Sequence, residues 1–313
     1  MSVTRPLAIR GIGTYLPENS VVFDGSVRYR VTESHAQLSM LVTAAQRALE
    51  DANITAQDLD CVIGASAADI QPIPCNAALI LEQLTTTGHA AAFDVNSTCT
   101  SFITALDIAS RYIRDGEYST ILVVSGDVGS QFLNPNQHES YELFSDAAVA
   151  MVVTRSDNPE RGIVASMQQT WPQFAHDTEI RGGTTRMPAH HFDRHETADY
   201  QFDMNGRSVL MSMLRVLPGF FERFYARAGI TPADIDYVVP HQASRALPLA
   251  MRKLGIADGK YADYVQDYGN MVSASVPFAL AQSLKDGNTT TGDLVLLCGT
   301  AAGLTANAML IRL

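Results

Sequence analysis

Several kinds of protein are excluded by what this sequence does not contain. It has four cysteines, Cys61, Cys75, Cys99 and Cys298, and none lies in a C-x-x-C pair. A disulfide framework is therefore not expected, and reduced thiols are. Basic residues are in the minority: 22 Lys and Arg against 33 Asp and Glu leave a net charge of -11. No global positive field gathers phosphates, so nucleic acid is not an expected partner. No apolar run is long enough to span a bilayer, and residues 1–10 lack an apolar signal core, so a cytoplasmic protein without a membrane contact is expected. Gly11-Ile12-Gly13 stands alone, without the rest of a dinucleotide fingerprint. His176, His190, His191 and His195 share the stretch 170–198, but their spacing fits no standard metal site, so neither a metal nor another cofactor is expected.

What is present is a well-buried α/β chain that repeats itself. Hydrophobic residues make up 46% of 313 positions and charged residues 18%, enough for substantial cores. Residues 52–60 read ANITAQDLD and residues 228–236 read AGITPADID, with five of nine positions identical. Each copy follows an amphipathic helix pattern and enters a short apolar run, Cys61-Val62-Ile63 or Tyr237-Val238-Val239. Residues 99–116 and 270–287 then give helix patterns that stop at Arg-Asp-Gly and Lys-Asp-Gly. Aligning the two stops sets Cys99 opposite Asn270. The apolar runs 121–124 and 294–297 suit strands buried on both faces. Each half thus has the order βαβαβ, packed about a pseudo-two-fold axis. The division falls between 1–160 and 161–313, with 170–198 read as a loop or cap inserted in the second half.

Three residues could carry chemistry. Cys99 sits before a helix with apolar residues at Phe102, Ile103, Leu106, Ala109 and Ile113. A helix N-terminus favours a thiolate and offers N–H donors to an oxyanion. A buried packing thiol reads equally well from this segment alone. His241 follows the apolar run 237–239 directly, at the strand end where α/β folds bind ligands, although a satisfied core histidine also fits. Asn270 could be a plain helix N-cap. Converging from the two halves, a thiol, a neutral imidazole and an amide would make an acyl-transfer site. The small-residue turn in the tail 296–304 could bring a backbone donor close to a ligand. Cys61, Cys75 and Cys298 read as packing residues.

With these motifs the chain resembles the β-ketoacyl-acyl-carrier-protein synthase III group of thiolase-fold condensing enzymes. The likeness runs from 11–17 through the Cys99 segment, Val239-Pro240-His241-Gln242-Ala243, and Tyr268-Gly269-Asn270 with Ala274-Ser275-Val276-Pro277, to the closing turn. It implies a five-layered αβαβα thiolase-like fold, a homodimer, and Cys99, His241 and Asn270 as the catalytic triad. It implies that Cys99 takes an acyl group from a CoA or carrier-protein thioester. His241 and Asn270 then stabilise the enolate formed as a malonyl-type extender loses CO2. The oxyanion hole implied is the backbone N–H of Cys99 and of Ala302.

Departures from the family pattern narrow the expectation. The stretch between residue 17 and the first helix is short and lacks the Trp and Thr-Gly-x-x-x-Arg that grip adenine, and His138 stands near an expected Arg. Ile73, Thr300 and Leu304 replace aromatic residues that would line the acyl pocket. Ser145-Asp146-Ala147-Ala148-Val149 replaces Gly-Asp-Gly-Ala-Gly. A specialised member with a non-acetyl primer is expected. Arg245, Arg252 and Lys253 form a candidate docking patch for an acidic acyl carrier protein, joined by Arg207 and Arg215, unless they are only a solvated helix face. Two other readings compete: an acyltransferase or thioesterase passing the acyl group to an alcohol, amine or water, and a non-catalytic subunit, against which the intact triad argues.

Overall fold

Continuous apolar runs become central strands. Thr120–Asp127, Ala147–Thr154, Leu294–Ala301 and Thr305–Arg312 are buried along most of their length. The structure is a computed structural model describing residues 3–33 and 35–313, so Met1 and Ser2 of the 1–10 segment lie outside the described residues.

The strands form two five-stranded sheets with a shared plan. In the first, the spatial order is Ala8–Tyr15, Ala147–Thr154, Thr120–Asp127, Cys61–Gly64, Ala91–Asp94. In the second it is Arg5–Pro6, Gly162–Thr170, Thr305–Arg312, Leu294–Ala301, Tyr237–Pro240. From Gly162–Thr170 onward the second sheet repeats the first: an antiparallel pair, another antiparallel step, then a parallel one. Two differences break the symmetry. The counterpart of Ala91–Asp94 is reduced to a single bridge between Val238 and Tyr261. The chain start crosses over, with Arg5 and Pro6 pairing with Ile163 and Gly162 at the edge of the second sheet.

The sheets are separated and flanked by helices, which gives five αβαβα layers. Helices Ser101–Asp115 and Ser275–Lys285 lie between the sheets; Phe102, Leu106, Val276 and Leu280 share one core with Ile63, Val123, Val239 and Leu297. Ala36–Ala52 and Asn76–Leu84 cover the outer face of the first sheet. Gly206–Ala228 and Leu247–Lys253 cover that of the second. Among the described residues no helix is long and apolar enough to cross a membrane.

The local signals of the repeat have matching physical causes. Thr55 and Thr231 each cap a short 3₁₀ turn in a reciprocal box with Asp58 or Asp234. Gly11 and Gly13 have a packing role: a Cβ there would come within 2.3 Å of the Ala48 carbonyl and 2.0 Å of the Ala44 carbonyl. Their absence of side chain lets the helix Ala36–Ala52 lie directly on the strand.

Candidate active site

Cys99 sits in a tight 3₁₀ turn, Thr98–Thr100, that joins the strand Ala91–Asp94 to the central helix Ser101–Asp115. Thr98 adopts φ +50°. A β-branched residue in that region costs ~1–3 kcal/mol, so the surroundings must enforce it. They do: Asn96 Oδ1 accepts from Thr98 N at 2.9 Å, and Ser97 N donates to Ser101 Oγ at 2.9 Å.

The second half builds the same turn. Asn270 Oδ1 accepts from Val272 N at 2.9 Å, Met271 N donates to Ser275 Oγ at 2.9 Å, and Val272 has φ +52°. Asn270 therefore corresponds to Asn96, and the counterpart of Cys99 is Ser273. This corrects the alignment on helix stops, which set Cys99 opposite Asn270. The central helices differ in length, 15 residues against 11, so matched stops leave the starts out of step. Asn270 also does not cap the helix itself, which begins at Ser275; its side chain shapes the turn before it.

His241 follows the strand Tyr237–Pro240, and its backbone N donates to the Cys298 carbonyl at 2.7 Å. Gly299 leaves room for it: a Cβ there would stand 2.8 Å from His241 Cβ. His241 is 5% exposed, and its Nδ1 has no hydrogen-bond partner. Burial pushes the imidazole down to about 4, so it is neutral at physiological pH. Asn270 is held through its backbone: its N donates to the Leu143 carbonyl and its carbonyl accepts from Ser145 N, each at 2.9 Å. Its Nδ2 makes only a long contact, 3.4 Å, to the Ala243 carbonyl.

Cys99, His241 and Asn270 line one cavity of about 590 Å³. Ala302, Thr300 and Leu304 line it too, and Thr300 Oγ1 lies 3.7 Å from Met213 Sδ. Its walls are largely apolar, with Phe132, Phe144, Phe202, Leu217 and Phe221 among them. Several residues come largely from the long helix Gly206–Ala228, which roofs it. Ile73 does not belong to this wall. It is 83% exposed, because the loop ahead of Asn76–Leu84 projects away from its own chain's cavity. Cys298, expected to be a packing residue, is buried and also borders the cavity.

The expected thiolate is a second correction. Burial, and after it the Asp127 carboxylate, push the Cys99 thiol up to about 12, against a downward pull from its own backbone N–H. Removal from water outweighs the helix end, which begins two residues later.

One residue of the site is not singled out by the sequence reading. Asp127 ends the strand Thr120–Asp127, is 2% exposed and borders the cavity. Its Oδ1 accepts from Ala67 N and Ala68 N at 2.9 Å, and its Oδ2 accepts from Ser273 N at 3.1 Å and from Ser273 Oγ. The signal was available: Ser125-Gly126-Asp127 is a polar end to an apolar strand, the same feature that singled out His241.

The basic residues divide between two places. Arg252 and Lys253 are exposed on the last turn of Leu247–Lys253, and Lys253 stands on the cavity rim. Arg245 instead turns to the hairpin Ser20–Phe23/Ser26–Tyr29, 3.7 Å from the Asp24 carboxylate and 3.0 Å from Ser26 Oγ. Arg207 is exposed, and Arg215 lies over the Phe174 ring. His138 is exposed, 3.8 Å from Glu142.

Architecture and site define a class. The 3-oxoacyl-[acyl-carrier-protein] synthase III of Aquifex aeolicus superposes with a TM-score of 0.85 at 29% identity, covering 98% of this chain and all (100%) of that one. Another solved synthase III superposes at 0.91 with 25% identity, covering 98% and 100%. The protein is a thiolase-fold acyltransferase of the condensing type. Family models described as 3-oxoacyl-[acyl-carrier-protein] synthase III and its C-terminal part match residues 93–171 and 225–313. The synthase III of Clostridium acetobutylicum is 30% identical over 97% of this chain and 98% of its own length, and that of Brucella anthropi 31% over 97% and 98%. The chain belongs to the β-ketoacyl-[acyl-carrier-protein] synthase III family.

Proposed function

We propose that Cys99 accepts an acyl group as a thioester and condenses it with a malonyl-type carrier-protein thioester. The reading is carried by one observation: a thiol, a neutral imidazole with a free ring nitrogen and a weakly engaged amide border the same cavity. In the first stage the Cys99 sulfur displaces the donor thiol, and its proton leaves with that thiol. In the second, the extender's thioester carbonyl accepts hydrogen bonds from His241 and Asn270. Its carboxylate carbon–carbon bond breaks, CO2 leaves, and the electron pair becomes an enolate held by those two donors. The enolate carbon attacks the Cys99 thioester, and the backbone N–H groups of Cys99 and Ala302 take the developing oxyanion. Collapse expels the Cys99 sulfur, which recovers a proton, and releases a β-ketoacyl thioester.

The wide apolar wall, to which Thr300 and Leu304 contribute, supports a primer larger than acetyl, with a specialised pathway as its setting. In this reading the protein works in the cytoplasm as a homodimer of chains, each with halves 1–160 and 161–313 and a cap at 170–198, and needs no metal. Its carrier-protein partner docks at Arg252 and Lys253, assisted by Arg245.

Mass spectrometry after incubation with a panel of acyl-CoAs and acyl-carrier proteins tests the central claim. A Cys99 adduct is expected that is absent from Cys99→Ser. No adduct from any donor, or one that survives that substitution, overturns it, and a loaded enzyme that yields only free acid or an ester or amide moves the assignment to simple acyl transfer. Charge reversal at Arg252 and Lys253 should weaken use of carrier protein and spare small thioesters; equal loss of both would reject the docking site.

A further inference from the structure

The short stretch ahead of the first helix folds into the hairpin Ser20–Phe23/Ser26–Tyr29, and this hairpin buries a cation. Arg28 is 0% exposed. Among the described residues it forms no ion pair, whereas a guanidinium out of water ordinarily has a carboxylate partner. Its Nη2 has no partner at all. Its other nitrogens bind carbonyls: Nε donates to Glu142 O at 2.8 Å, and Nη1 to Gln266 O at 3.1 Å and Val27 O at 2.5 Å.

Glu142 and Gln266 are not arbitrary acceptors, because their two segments carry Asn270. One supplies Leu143 O and Ser145 N to the Asn270 backbone, and Phe144 pairs with Asn270 as an isolated parallel bridge. The other runs through Gly269, whose φ is +71°. A Cβ on Gly269 would stand 2.7 Å from Arg28 Cδ and 2.9 Å from Arg28 Nε, so the backbone before Asn270 rests directly on the guanidinium stem. The hairpin grips the same place from its next residue: Tyr29 N donates to Ser145 Oγ at 3.0 Å, and Tyr29 O accepts from Asp146 N at 2.8 Å.

We infer that Arg28 is a positioning residue for Asn270, tying together the two segments that present the Asn270 amide to the cavity. The inference about its catalytic consequence rests on the role proposed for Asn270; the inference about its mechanical role does not. Five donors in a rigid plane can hold two loops at a fixed separation, which a lysine cannot do. The Cys99 turn should keep its shape, since among the described residues Arg28 makes no hydrogen bond to it.

Hydrogen exchange on the full-length protein reads the mechanical role. In Arg28→Gln, peptides containing the amides of Asn270 and Ser145 should exchange about tenfold faster, while those of the Ser101–Asp115 helix keep their protection. Arg28→Lys should fall between the two and serves as the comparison if the Gln variant does not fold. Unchanged exchange at Asn270 and Ser145, or acceleration spread evenly over the chain, overturns the inference. The chemical consequence is read separately. Acyl loading of Cys99 should stay within about twofold, while decarboxylation of malonyl-carrier protein falls about tenfold or more, as misplacement of a reacting group does. Added to Asn270→Ala, Arg28→Gln should cost nothing further. Equal loss of loading and decarboxylation rejects a specific role for Arg28. A wild-type protein that loads but never decarboxylates would instead reject the reaction assigned to Asn270, and the exchange result would still decide Arg28.

Discussion

Raising the pH over the free protein should show how firmly Cys99 holds its proton. Burial and the Asp127 carboxylate move this thiol from an ordinary 9.0 to about 12. Such a rise is ~4 kcal/mol in favour of the thiol over the thiolate. At pH 8 the ionised fraction is then ~10⁻⁴, against ~10⁻¹ for an unperturbed thiol. Iodoacetamide reacts with the thiolate, so Cys99 should be labelled ~10³-fold more slowly than a free thiol at that pH. The rate should climb about tenfold per pH unit up to about pH 10 without levelling. Asp127→Asn removes the neighbouring charge while keeping an oxygen for the Ala67 and Ala68 amides, so it should speed labelling at every pH on this slope. The assay is the mass of the Cys99-containing peptide against time across that range. A plateau below about pH 8 would show a stabilised thiolate and refute the reasoning, as would slower labelling in Asp127→Asn.

Other perturbations have worked outcomes. His241 is buried neutral, with a folded value of about 4 against 6.5 when unfolded. Its contribution is therefore complete above the unfolded value and is lost as the pH falls from 6.5 towards 4, because the unfolded chain takes the proton first. Urea unfolding should show ~2 kcal/mol less stability at about pH 5 than at about pH 7 from this group, and His241→Asn should remove that difference. Gly299→Ala would press a methyl group within 2.8 Å of His241 Cβ and 3.3 Å of Thr100 Cγ2. It should destabilise by ~1–3 kcal/mol and lower kcat more than KM changes, in steady-state assays beside thermal unfolding. Ser273→Ala leaves Asp127 without one hydroxyl donor in a buried site and should cost ~1–3 kcal/mol by the same unfolding measurement, with Cys99 still acylated.

The two matching α/β halves of this fold are legible because they follow from burial and repetition, and the five-layered stacking is what the family resemblance implies. Apolar runs at 121–124 and 294–297 could only be interior strands, and the repeated 52–60 and 228–236 segments announced that the halves match. His241 was legible for a local reason, a polar side chain at the end of such a run. The pairing of Cys99 with Asn270 was not, because register depends on where a helix begins, and the sequence marks its end more clearly. The start is set by side chains folding back on the backbone, Asn96 on Thr98 and Asn270 on Val272, which looks in sequence like any polar turn. The protonation of Cys99 is not legible, because a helix end is visible in a sequence and the desolvation of a thiol is not. Ile73 is placed in the pocket by position in a motif, and within one chain its loop projects outward. Arg28 escaped notice since nothing in Ser26-Val27-Arg28-Tyr29 distinguishes a buried arginine from a solvated one.

The two matching turns also bear on how the molecule could be re-engineered or could have diverged. Val272 keeps the same left-handed backbone as Thr98, although the residue after it is a serine bound to a carboxylate. The turn is thus a socket whose shape does not depend on what it holds. In the proposed reaction one copy carries the nucleophile, while the other fastens the halves to each other through Asp127. Exchanging the two duties would require moving that fastening first, so a mirror-image enzyme with its nucleophile at residue 273 lies several coordinated substitutions away, and the asymmetry of the site is locked in by the Ser273–Asp127 contact.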